Sequence, residues 1–385
     1  MNILFIGSSS DWHVDLWVQY FTDSHNVTLF SDKEDYLTNQ SYEKVKVVES
    51  NGYFGWLLNF FSIKSHFLFQ INKLLSAKKF SRHVDKVIGE NNIDIVHAHS
   101  LYYGFLSSNI KSAVPIIFTP MGSDVILHAQ SNRLYNFMAR KSFKKSYIVT
   151  GDSLLLQKRG YNVGASKQRN YVIQNGVDSS LFYPNDTNLN VKYGIASDEV
   201  LIFSPRAITS IYNIDVIISS LKHLKDAGYK IKCMFSYAFG DEYTRKLLNQ
   251  VSKLGLEENV IWLGYLSYAD MADHYNVADI VVSIPSSDSS PKSVYEAMFC
   301  RKPIVISNLE WSHELLSDCE CLMRIEDRNE VQLFENIESL INDSELAEEL
   351  ANNAYNVAKK YFDYEENMRK MEIIMIDGIK SYKRD

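Results

Sequence analysis

The chain has 385 residues, of which 46% are hydrophobic and 23% charged, and its formal net charge is −7. This length exceeds what one ordinary hydrophobic core accommodates, so two domains are expected, and the composition excludes a disordered chain. The negative charge argues against a nucleic acid as the main partner, because phosphate recognition needs a basic face.

Short apolar segments recur along the chain, separated by longer amphipathic stretches. In the first half they cover residues 2–7, 27–30, 93–96, 116–119, 147–150 and 171–173. After a polar gap at residues 185–190 they cover 200–203, 231–235, 260–263, 280–284, 304–306 and 322–325. Segments rich in Val and Ile are typical of strands buried on both faces, and alternation with helices favours parallel sheets. We therefore expect an α/β fold with two doubly wound, Rossmann-like domains facing a common cleft.

The sequence also predicts several absences. The opening MNILFIGSSS fits a strand and a turn rather than a signal peptide, and no window of about 20 residues is uniformly apolar. The four cysteines have no metal-ligand or redox spacing, and they are predicted to be reduced thiols of a cytoplasmic protein. They are Cys233, Cys300, Cys319 and Cys321.

Ligands of open parallel sheets bind beyond the C-terminal ends of the strands, so the residues there are the candidates for function. At the first strand end, Gly7 and Ser8 allow close backbone approach, and the next helix offers amides to an anion. A simple strand-to-helix turn explains the same residues equally well.

The second half has its own candidate in SPRAITSIYN, where Arg206 follows the strand. A guanidinium with permanent charge and two parallel donors suits a diphosphate. The alternative is a surface ion pair, and the position at a strand end favours the functional interpretation.

The strongest signal is PSSDSSPKSVYEAM, residues 285–298. Ser290 is predicted to cap the helix that begins at Lys292, with Pro291 in its first turn. Asp288 on the loop and Glu296 near the helix start can each accept hydrogen bonds from sugar hydroxyls. A capped helix with an acid near its N-terminus is the simpler alternative.

Two further segments have candidate roles. His97 and His99, in VHAHS, are predicted to alternate, so that one faces the cleft, and no third ligand at metal spacing suggests zinc. Residues 51–83 contain no acid, and their aromatic and basic residues recur at helical spacing. One prediction is that this segment, chiefly residues 53–83, lies on an anionic membrane. The alternative is that it packs into the core and leaves its basic face in solvent.

In chain order these pieces resemble the retaining GT-B glycosyltransferases of the group 1 (family 4) type. The elements that carry the resemblance are DIVHAH, TPMGSDV, VIQNGVDSSLFYP, SPRAITSIYNIDVI, the segment VIWLGYLSYADMADHYNVADIVVSIPSS and the Asp288-to-Glu296 spacing, which is similar to the family's E-x7-E element. They span nearly the whole chain. The resemblance implies an acceptor-binding domain at 1–188, a donor-binding domain at 189–363, and a last helix within 364–385 that crosses back to the first domain.

The resemblance also implies residue roles. Glu296 would bind the ribose of a nucleotide-sugar, and Asp288 with the amides of Ser289 and Ser290 would contact its sugar. Gly264 and Tyr265 would lie beside the base, Arg206 would neutralise the diphosphate, and the loop at Gly7 and Ser8 would close on it. Candidates for the acceptor side and the cleft are His13, His97, Asp124 and Tyr212.

The chain departs from the family at two positions. Tyr212 stands where the family usually has a second cation, a lysine six residues after the arginine, and Met121 replaces a frequent histidine. The family's activity implies a metal-independent, retaining transfer from a nucleotide diphosphate sugar, with UDP expected. The expected acceptor is a lipid-linked or growing saccharide in bacterial surface polysaccharide synthesis, at the cytoplasmic face of the inner membrane. Two alternatives remain open, a nucleotide-sugar epimerase on the same fold and a non-catalytic sugar-binding relative.

Overall fold

The structure is a computed structural model. It describes residues 1–9, 11–31, 44–49, 66–122, 125, 129, 132–236, 242–314, 316 and 320–384, with the backbone alone at 12, 49 and 66–76. The chain divides into two compact units, one formed by Met1–Asn175 with Met368–Asp385 and the other by Gly176–Asn367.

The first unit is built on a parallel sheet of seven strands. They are β1 (Asn2–Ile6), β2 (Asn26–Ser31), β3 (Lys46–Glu49), β4 (Ile95–His99), β5 (Ile116–Thr119), β6 (Ile148–Gly151) and β7 (Asn170–Val172). Their order is β3-β2-β1-β4-β5-β6-β7, so the direction of winding reverses between β1 and β4. Ile3 pairs with Ile95 there, and the central strands are buried on both faces, as their continuous apolar sequence requires.

The helices of this unit that the structure describes connect those strands. They are α1 (Trp12–Thr22), α2 (His66–Glu90), α3 (Ser100–Ser107), α4 (Arg133–Lys145) and α5 (Leu154–Val163). One core cluster includes Phe80 of α2, Leu101 of α3, Phe143 of α4 and Phe118 of β5. The helices α2, α3 and α4 therefore cover the same side of the sheet.

The second unit contains a parallel sheet of six strands. They are β8 (Val200–Ser204), β9 (Ile231–Ser236), β10 (Val260–Gly264), β11 (Ile280–Ser283), β12 (Ile304–Ser307) and β13 (Met323–Ile325). The order β10-β9-β8-β11-β12-β13 reverses between β8 and β11. Alternate residues of one strand enter separate cores on the two sides of the sheet, Phe203 on one side and Ile202 on the other.

The described helices of the second unit complete its two outer layers. They are α6 (Leu189–Tyr193), α7 (Ile214–Asp226), α8 (Glu242–Leu254), α9 (Tyr268–Val277), α10 (Lys292–Phe299), α11 (Glu330–Asn342) and α12 (Ser344–Tyr361), with short 3-10 turns at Ser210–Tyr212 and Glu310–His313. Helix α13 (Tyr364–Tyr382) begins in this unit, and its residues from Met368 onward belong to the first.

The division of the chain lies earlier than the sequence placed it, after residue 175 instead of 188. The Val177 amide donates to the Phe362 carbonyl at 2.8 Å, and the Tyr364 amide donates to the Val177 carbonyl at 3.1 Å. Phe182 is fully buried in a core of the second unit. These contacts join the segment that begins at residue 176 to the second unit, although residues 176–184 precede the polar gap.

The predicted fold class, two doubly wound parallel sheets with flanking helices, is confirmed, and the second sheet has the six predicted strands. The first sheet has one strand more than predicted, because β3 was missed. This strand, KVVE, pairs with β2 alone at the sheet edge, and Lys46 is exposed. An edge strand of mixed polarity lacks the apolar signal that identified the others.

None of the helices in the described ranges is long and apolar enough to cross a membrane. Of the acid-free segment 51–83, residues 51–65 lie outside the described residues, and α2 contains the remainder. Lys78, Lys79 and Arg82 are exposed on α2.

Candidate active site

The second unit brings two predicted loops together where its strand order reverses. Strand β8 pairs with β11, with Ile202 opposite Ile280 and Phe203 opposite Val281. The residues that follow these strands therefore meet at the same edge of the sheet, which is where ligands of doubly wound folds bind. Arg206 follows β8, and the serine-rich loop at 285–290 follows β11.

Arg206 is held at this edge by three contacts. Its Nη2 lies 2.7 Å from Asp288 Oδ2, its Nη1 donates to Ser293 Oγ at 2.9 Å, and the guanidinium lies over the Tyr212 ring at 4.1 Å. The Arg206 and Asp288 side chains are only 12% and 15% exposed. Burial disfavours the charged form, but the charges of Asp288 and Tyr212 and their hydrogen bonds to the guanidinium together outweigh it, and the pKa of Arg206 is raised. The pair is therefore a sheltered ion pair and differs from a solvated surface contact.

Asp288 also organises its own loop. Its Oδ1 accepts hydrogen bonds from the amides of Ser289 at 2.8 Å and Ser290 at 3.4 Å. These are the amides that were predicted to contact a donor sugar, and in this structure they bind the Asp288 carboxylate. The prediction that Ser290 caps the next helix is wrong, because Pro291 occupies the N-cap and no side-chain oxygen caps α10.

Glu296 lies one turn into α10 and is 6% exposed. The Tyr275 hydroxyl, on α9, lies 2.9 Å from Glu296 Oε2 and 3.0 Å from the Ser293 carbonyl oxygen. Burial raises the pKa of Glu296 to about 7, although Lys292, Tyr275 and Arg206 all favour the carboxylate. A carboxyl group with a pKa near 7 changes its charge near neutral pH. The Glu296 oxygen that does not contact Tyr275 can accept hydrogen bonds from ligand hydroxyl groups.

Lys292 is the second cation near Glu296. Its Nζ lies 4.5 Å from the centre of the Tyr268 ring. Burial lowers the pKa of Lys292, and the negative charges of Glu296 and Asp178 oppose that shift. Positive charge at this sheet edge therefore comes from Arg206 and from the first residue of α10.

The loop that carries Tyr212 is fixed by its neighbour Asn213. Asn213 is buried and has φ 53°, a left-handed conformation that Asn tolerates better than most residues. Its Nδ2 donates to the Ile284 carbonyl at 2.8 Å and to Ser286 Oγ at 2.9 Å, and its Oδ1 accepts from Arg328 Nη1 at 2.6 Å. One side chain thus links the loops after β8 and β11.

The two residues predicted to lie beside a base are at the end of β10, Gly264 as its last residue and Tyr265 directly after it. Gly264 has φ 71°, and a Cβ built on it would meet nothing within 4 Å. Tyr265 is 79% exposed. An exposed aromatic ring after an open strand end can stack on a planar ligand, and the assignment to a base stays a prediction.

In the first unit the strand order reverses between β1 and β4, and the predicted histidines lie there. The prediction that only one of His97 and His99 faces the strand end is wrong, because residues two apart on a strand share a face. Their ring centres are 4.2 Å apart and both are fully buried. His97 Nε2 lies 2.7 Å from Thr119 Oγ1. Burial lowers the pKa of His97 and lowers that of His99 to about 3, so both rings are neutral.

The first strand end differs from the anion site that was predicted. Asp11 is the N-cap of α1, and its carboxylate accepts from the His13 amide at 3.0 Å and lies 3.0 Å from His13 Nδ1. The Asp11 carboxylate therefore occupies the start of α1, where the sequence predicted that backbone amides would bind an anion. The role of Gly7 and Ser8 in donor binding stays a prediction, and Asp124 lies outside the described residues.

Sequence reasoning missed Tyr275, Ser293 and Asn213. Tyr275 is a fully buried tyrosine on the helix before α10, and nothing in ADMADHYNVAD indicates that its partner is Glu296. Ser293 lies inside the predicted motif but was given no role. The sequence does contain an indication for Asn213, because an Asn directly before an apolar helix often adopts a left-handed conformation.

Two family models match the chain, and together they span most of it. Residues 185–357 match the model described as glycosyl transferases group 1, and residues 2–153 match the one described as glycosyl transferase 4-like. The chain belongs to the group 1 glycosyltransferases. It is therefore a transferase enzyme, and its predicted GT-B fold is confirmed.

Relatives and solved structures agree with this membership. An uncharacterised glycosyltransferase of Methanocaldococcus jannaschii, MJ1178, is 25% identical over 296 residues, 76% of this chain and 77% of the relative. The alpha-monoglucosyldiacylglycerol synthase of Streptococcus pneumoniae is 24% identical over 165 residues, 41% of this chain and 36% of the relative. Anabaena HepE, solved in complex with UDP and glucose, has a TM-score of 0.77 at 18% identity, covering 98% of this chain and 100% of that structure.

Proposed function

We propose that this group 1 glycosyltransferase transfers a sugar from a UDP-sugar to an acceptor hydroxyl, with retention at the anomeric carbon and without a metal ion. The observation that carries the proposal is the juxtaposition of Arg206, Asp288 and Glu296 at the point where the strand order of the second sheet reverses. UDP is the proposed nucleotide because the structurally similar HepE was solved with UDP and glucose.

The donor is proposed to lie along the ends of β8, β10 and β11. Glu296 accepts hydrogen bonds from the ribose hydroxyls, and Tyr265 with Gly264 borders the base. Asp288 and the amides of Ser289 and Ser290 face the donor sugar, which requires those amides to exchange their contact with Asp288 for one with the ligand.

Arg206 is the proposed partner of the leaving diphosphate. A guanidinium has five N–H donors, and the described contacts to Asp288 and Ser293 use two of them. Tyr212 is a further hydrogen-bond partner of the guanidinium, and the donors beyond these three contacts can reach phosphate oxygens. The ion pair and the Tyr212 ring hold the group in one orientation. Positive charge fixed before the reaction stabilises charge that develops in the transition state.

The reaction breaks the bond between the anomeric carbon and the β-phosphate oxygen and forms a bond from that carbon to the acceptor oxygen on the same face. The acceptor proton passes to the departing phosphate oxygen. No separate protein base is needed in this scheme, and Arg206 and Lys292 supply the positive charge that a metal supplies elsewhere.

The acceptor is proposed to be a lipid-linked or growing saccharide in bacterial surface polysaccharide synthesis. The support is that the pneumococcal relative is named for a glycolipid product and that residues 53–83 are basic and aromatic. The first unit would provide acceptor contacts at the cytoplasmic face of the inner membrane. His13 and Asp124 remain candidates for them, whereas His97 is fully buried and supports no such contact. If replacing Lys73, Lys78 and Lys79 by Glu leaves binding to anionic liposomes unchanged, that segment is not the membrane contact.

The test is incubation of the purified chain with a panel of UDP-, GDP- and dTDP-sugars and a bacterial lipid extract, combined with nucleotide-dependent thermal shifts. Transfer from a UDP-sugar, with the product anomer assigned by NMR as retained, is the expected result. An inverted product contradicts retention, and the absence of turnover, hydrolysis and any nucleotide shift contradicts the whole proposal.

A matched pair of variants ties the activity to this site. Arg206→Ala is expected to abolish transfer, whereas Arg245→Ala removes the same charge from the exposed surface of α8 in the same unit and is expected to leave it unchanged. The same assay separates the alternatives, because an epimerase converts the donor without an acceptor and a non-catalytic relative binds without turnover.

A further inference from the structure

Helix α4 (Arg133–Lys145) has an exposed face of unusual composition. Its exposed positions are Arg133, Phe137, Arg140, Lys141, Lys144 and Lys145. These positions recur at the spacing of one helical face, while Met138, Ala139, Ser142 and Phe143 are buried on the other. Every exposed residue of the helix is basic except Phe137, and the helix contains no acid.

The positive charges on this face are not neutralised locally. Within the part of the chain that the structure describes, Arg133, Lys141, Lys144 and Lys145 form no ion pair, and Arg140 Nε donates to the neutral Asn136 side chain at 2.8 Å. Lys246 of α8, by contrast, pairs with Glu242 at 2.8 Å one turn away. A helix without such pairs keeps its charge available to a partner.

Phe137 adds an apolar group to the centre of the basic face. Its side chain is 46% exposed, and Lys141 Nζ lies 5.1 Å from the centre of its ring. An exposed aromatic residue surrounded by lysine and arginine is typical of helices that lie in a membrane interface. There the ring enters the headgroup region, and the long basic side chains keep their charged ends in water.

The charge of the whole chain is divided between the two units. Residues 1–175 with 368–385 contain 24 Lys and Arg against 16 Asp and Glu, a net +8, whereas residues 176–367 contain 16 against 31, a net −15. An anionic surface therefore attracts the first unit and repels the second. Lys78, Lys79 and Arg82 of α2 extend the basic surface, since α2 and α4 cover the same side of the sheet.

The shape of the surface favours a membrane over a nucleic acid. The inner side of α4 packs into the core, and α3 and α5 contact the helix, so it forms part of a helical layer. A nucleic acid backbone would engage the basic residues alone, whereas a bilayer also takes up the apolar ring of Phe137. A layer of helices with an outward-pointing phenylalanine matches a bilayer surface instead.

We propose that the exposed face of α4, together with the basic end of α2, docks the first unit onto an anionic phospholipid bilayer. This surface adds α4 to the membrane contact proposed for residues 53–83, with which it shares Lys78, Lys79 and Arg82. It holds whether or not the proposed donor chemistry is correct. Each basic residue near an anionic membrane strengthens binding roughly fivefold, so reversing three of them is expected to weaken binding by at least 100-fold.

The test is co-sedimentation of the full chain with vesicles of phosphatidylcholine containing 30% phosphatidylglycerol, against vesicles of phosphatidylcholine alone. We expect binding to the anionic vesicles only, loss of binding in the triple variant R140E/K141E/K144E, and weaker binding in Phe137→Ser. The matched control is R245E/K246E/K253E, which makes the same charge change on exposed positions of α8. Unfolding temperature and the nucleotide-dependent thermal shift, measured on each variant, separate loss of docking from loss of folding or of donor binding.

Several outcomes would overturn the proposal. They are absence of wild-type binding to anionic vesicles, undiminished binding by the folded α4 variant, and equal loss in the α8 control. A 30-base-pair DNA duplex is measured in parallel by fluorescence anisotropy. If duplex binding at 150 mM salt exceeds vesicle binding and depends on the same three residues, the partner is a nucleic acid and the membrane assignment fails.

Discussion

The hydrogen bond from Tyr275 to Glu296 offers a direct test of how the buried acid works. Replacing Tyr275 by Phe removes the hydroxyl that lies 2.9 Å from Glu296 Oε2 and leaves the ring in place. A hydrogen bond to a charged acceptor contributes about 1.5–3 kcal/mol, and we take about 1.5 because the hydroxyl is shared with the Ser293 carbonyl. At 1.36 kcal/mol per unit, the pKa of Glu296 rises by about one unit, from about 7 to about 8.

If the ionised Glu296 binds the ribose, this shift appears in the affinity for UDP. At pH 7.5 the carboxylate fraction falls about threefold in the variant, so the Kd for UDP weakens about threefold. At pH 9 both proteins are almost fully ionised, and their affinities converge. Isothermal titration calorimetry of UDP binding between pH 6 and 9 measures the midpoint of each profile.

The control for this variant is Tyr193→Phe. The Tyr193 hydroxyl lies 2.8 Å from His274 Nε2 in the same unit, and its removal costs a partly buried hydrogen bond that does not involve Glu296. Its pH profile should keep the wild-type midpoint. A Tyr275→Phe profile with an unchanged midpoint, or one weakened equally at every pH, refutes the reasoning.

Four further predictions follow from the described contacts. Arg206→Lys keeps the charge but loses the planar fork, so kcat should fall about 100-fold in a steady-state transfer assay, and a kcat within threefold of wild type would contradict this. Tyr212→Lys adds the second cation usual in the family and should raise kcat at saturating donor. A lower kcat would mean that the Tyr212 ring over the guanidinium contributes more to the rate than a second cation does. The folded-state pKa of Glu296, about 7, is raised from 4.5, so its proton stabilises the fold fully below pH 4.5, and that contribution is lost as the pH rises to 7. Glu296→Gln should therefore raise the free energy of unfolding at pH 8 by up to about 3 kcal/mol in urea titrations while weakening UDP binding, and a less stable variant would contradict the burial argument. Gly176→Ala should destabilise by about 2–3 kcal/mol, because φ is +76° and the new Cβ would lie 2.5 Å from backbone, whereas Gly194→Ala, with φ +60° and nothing within 4 Å, should lose only about 1 kcal/mol by thermal unfolding.

The sequence predicts the buried parts of this fold well. Strands such as Ile280–Ser283 are apolar on both faces, and their signal does not depend on neighbours. The edge strand Lys46–Glu49 was missed because it owes its structure to pairing with β2. The domain boundary was placed too late for a similar reason, since the backbone bonds of Val177 to residues beyond 360 leave no local trace.

The candidate site was predictable in its positions and less so in its contacts. Arg206, Asp288 and Glu296 follow from their places at strand and helix ends. The sequence assigned Arg206 to the phosphates and Asp288 to the sugar, and it gave no indication that they pair with each other at 2.7 Å. Nor did it identify Tyr275 beside Glu296, because side chains that meet from separate helices are specified by the packed fold alone.

The path of the last helix has a consequence for how the protein is made. Met371 and Met375 are fully buried, Gly378 packs closely against Ile148, and Tyr382 contacts the Tyr147 ring. The unit whose synthesis begins first therefore lacks part of its packing until residues 368–382 have been made. All residues of the second unit precede them in the chain, so the first unit is the later of the two to acquire its full set of contacts.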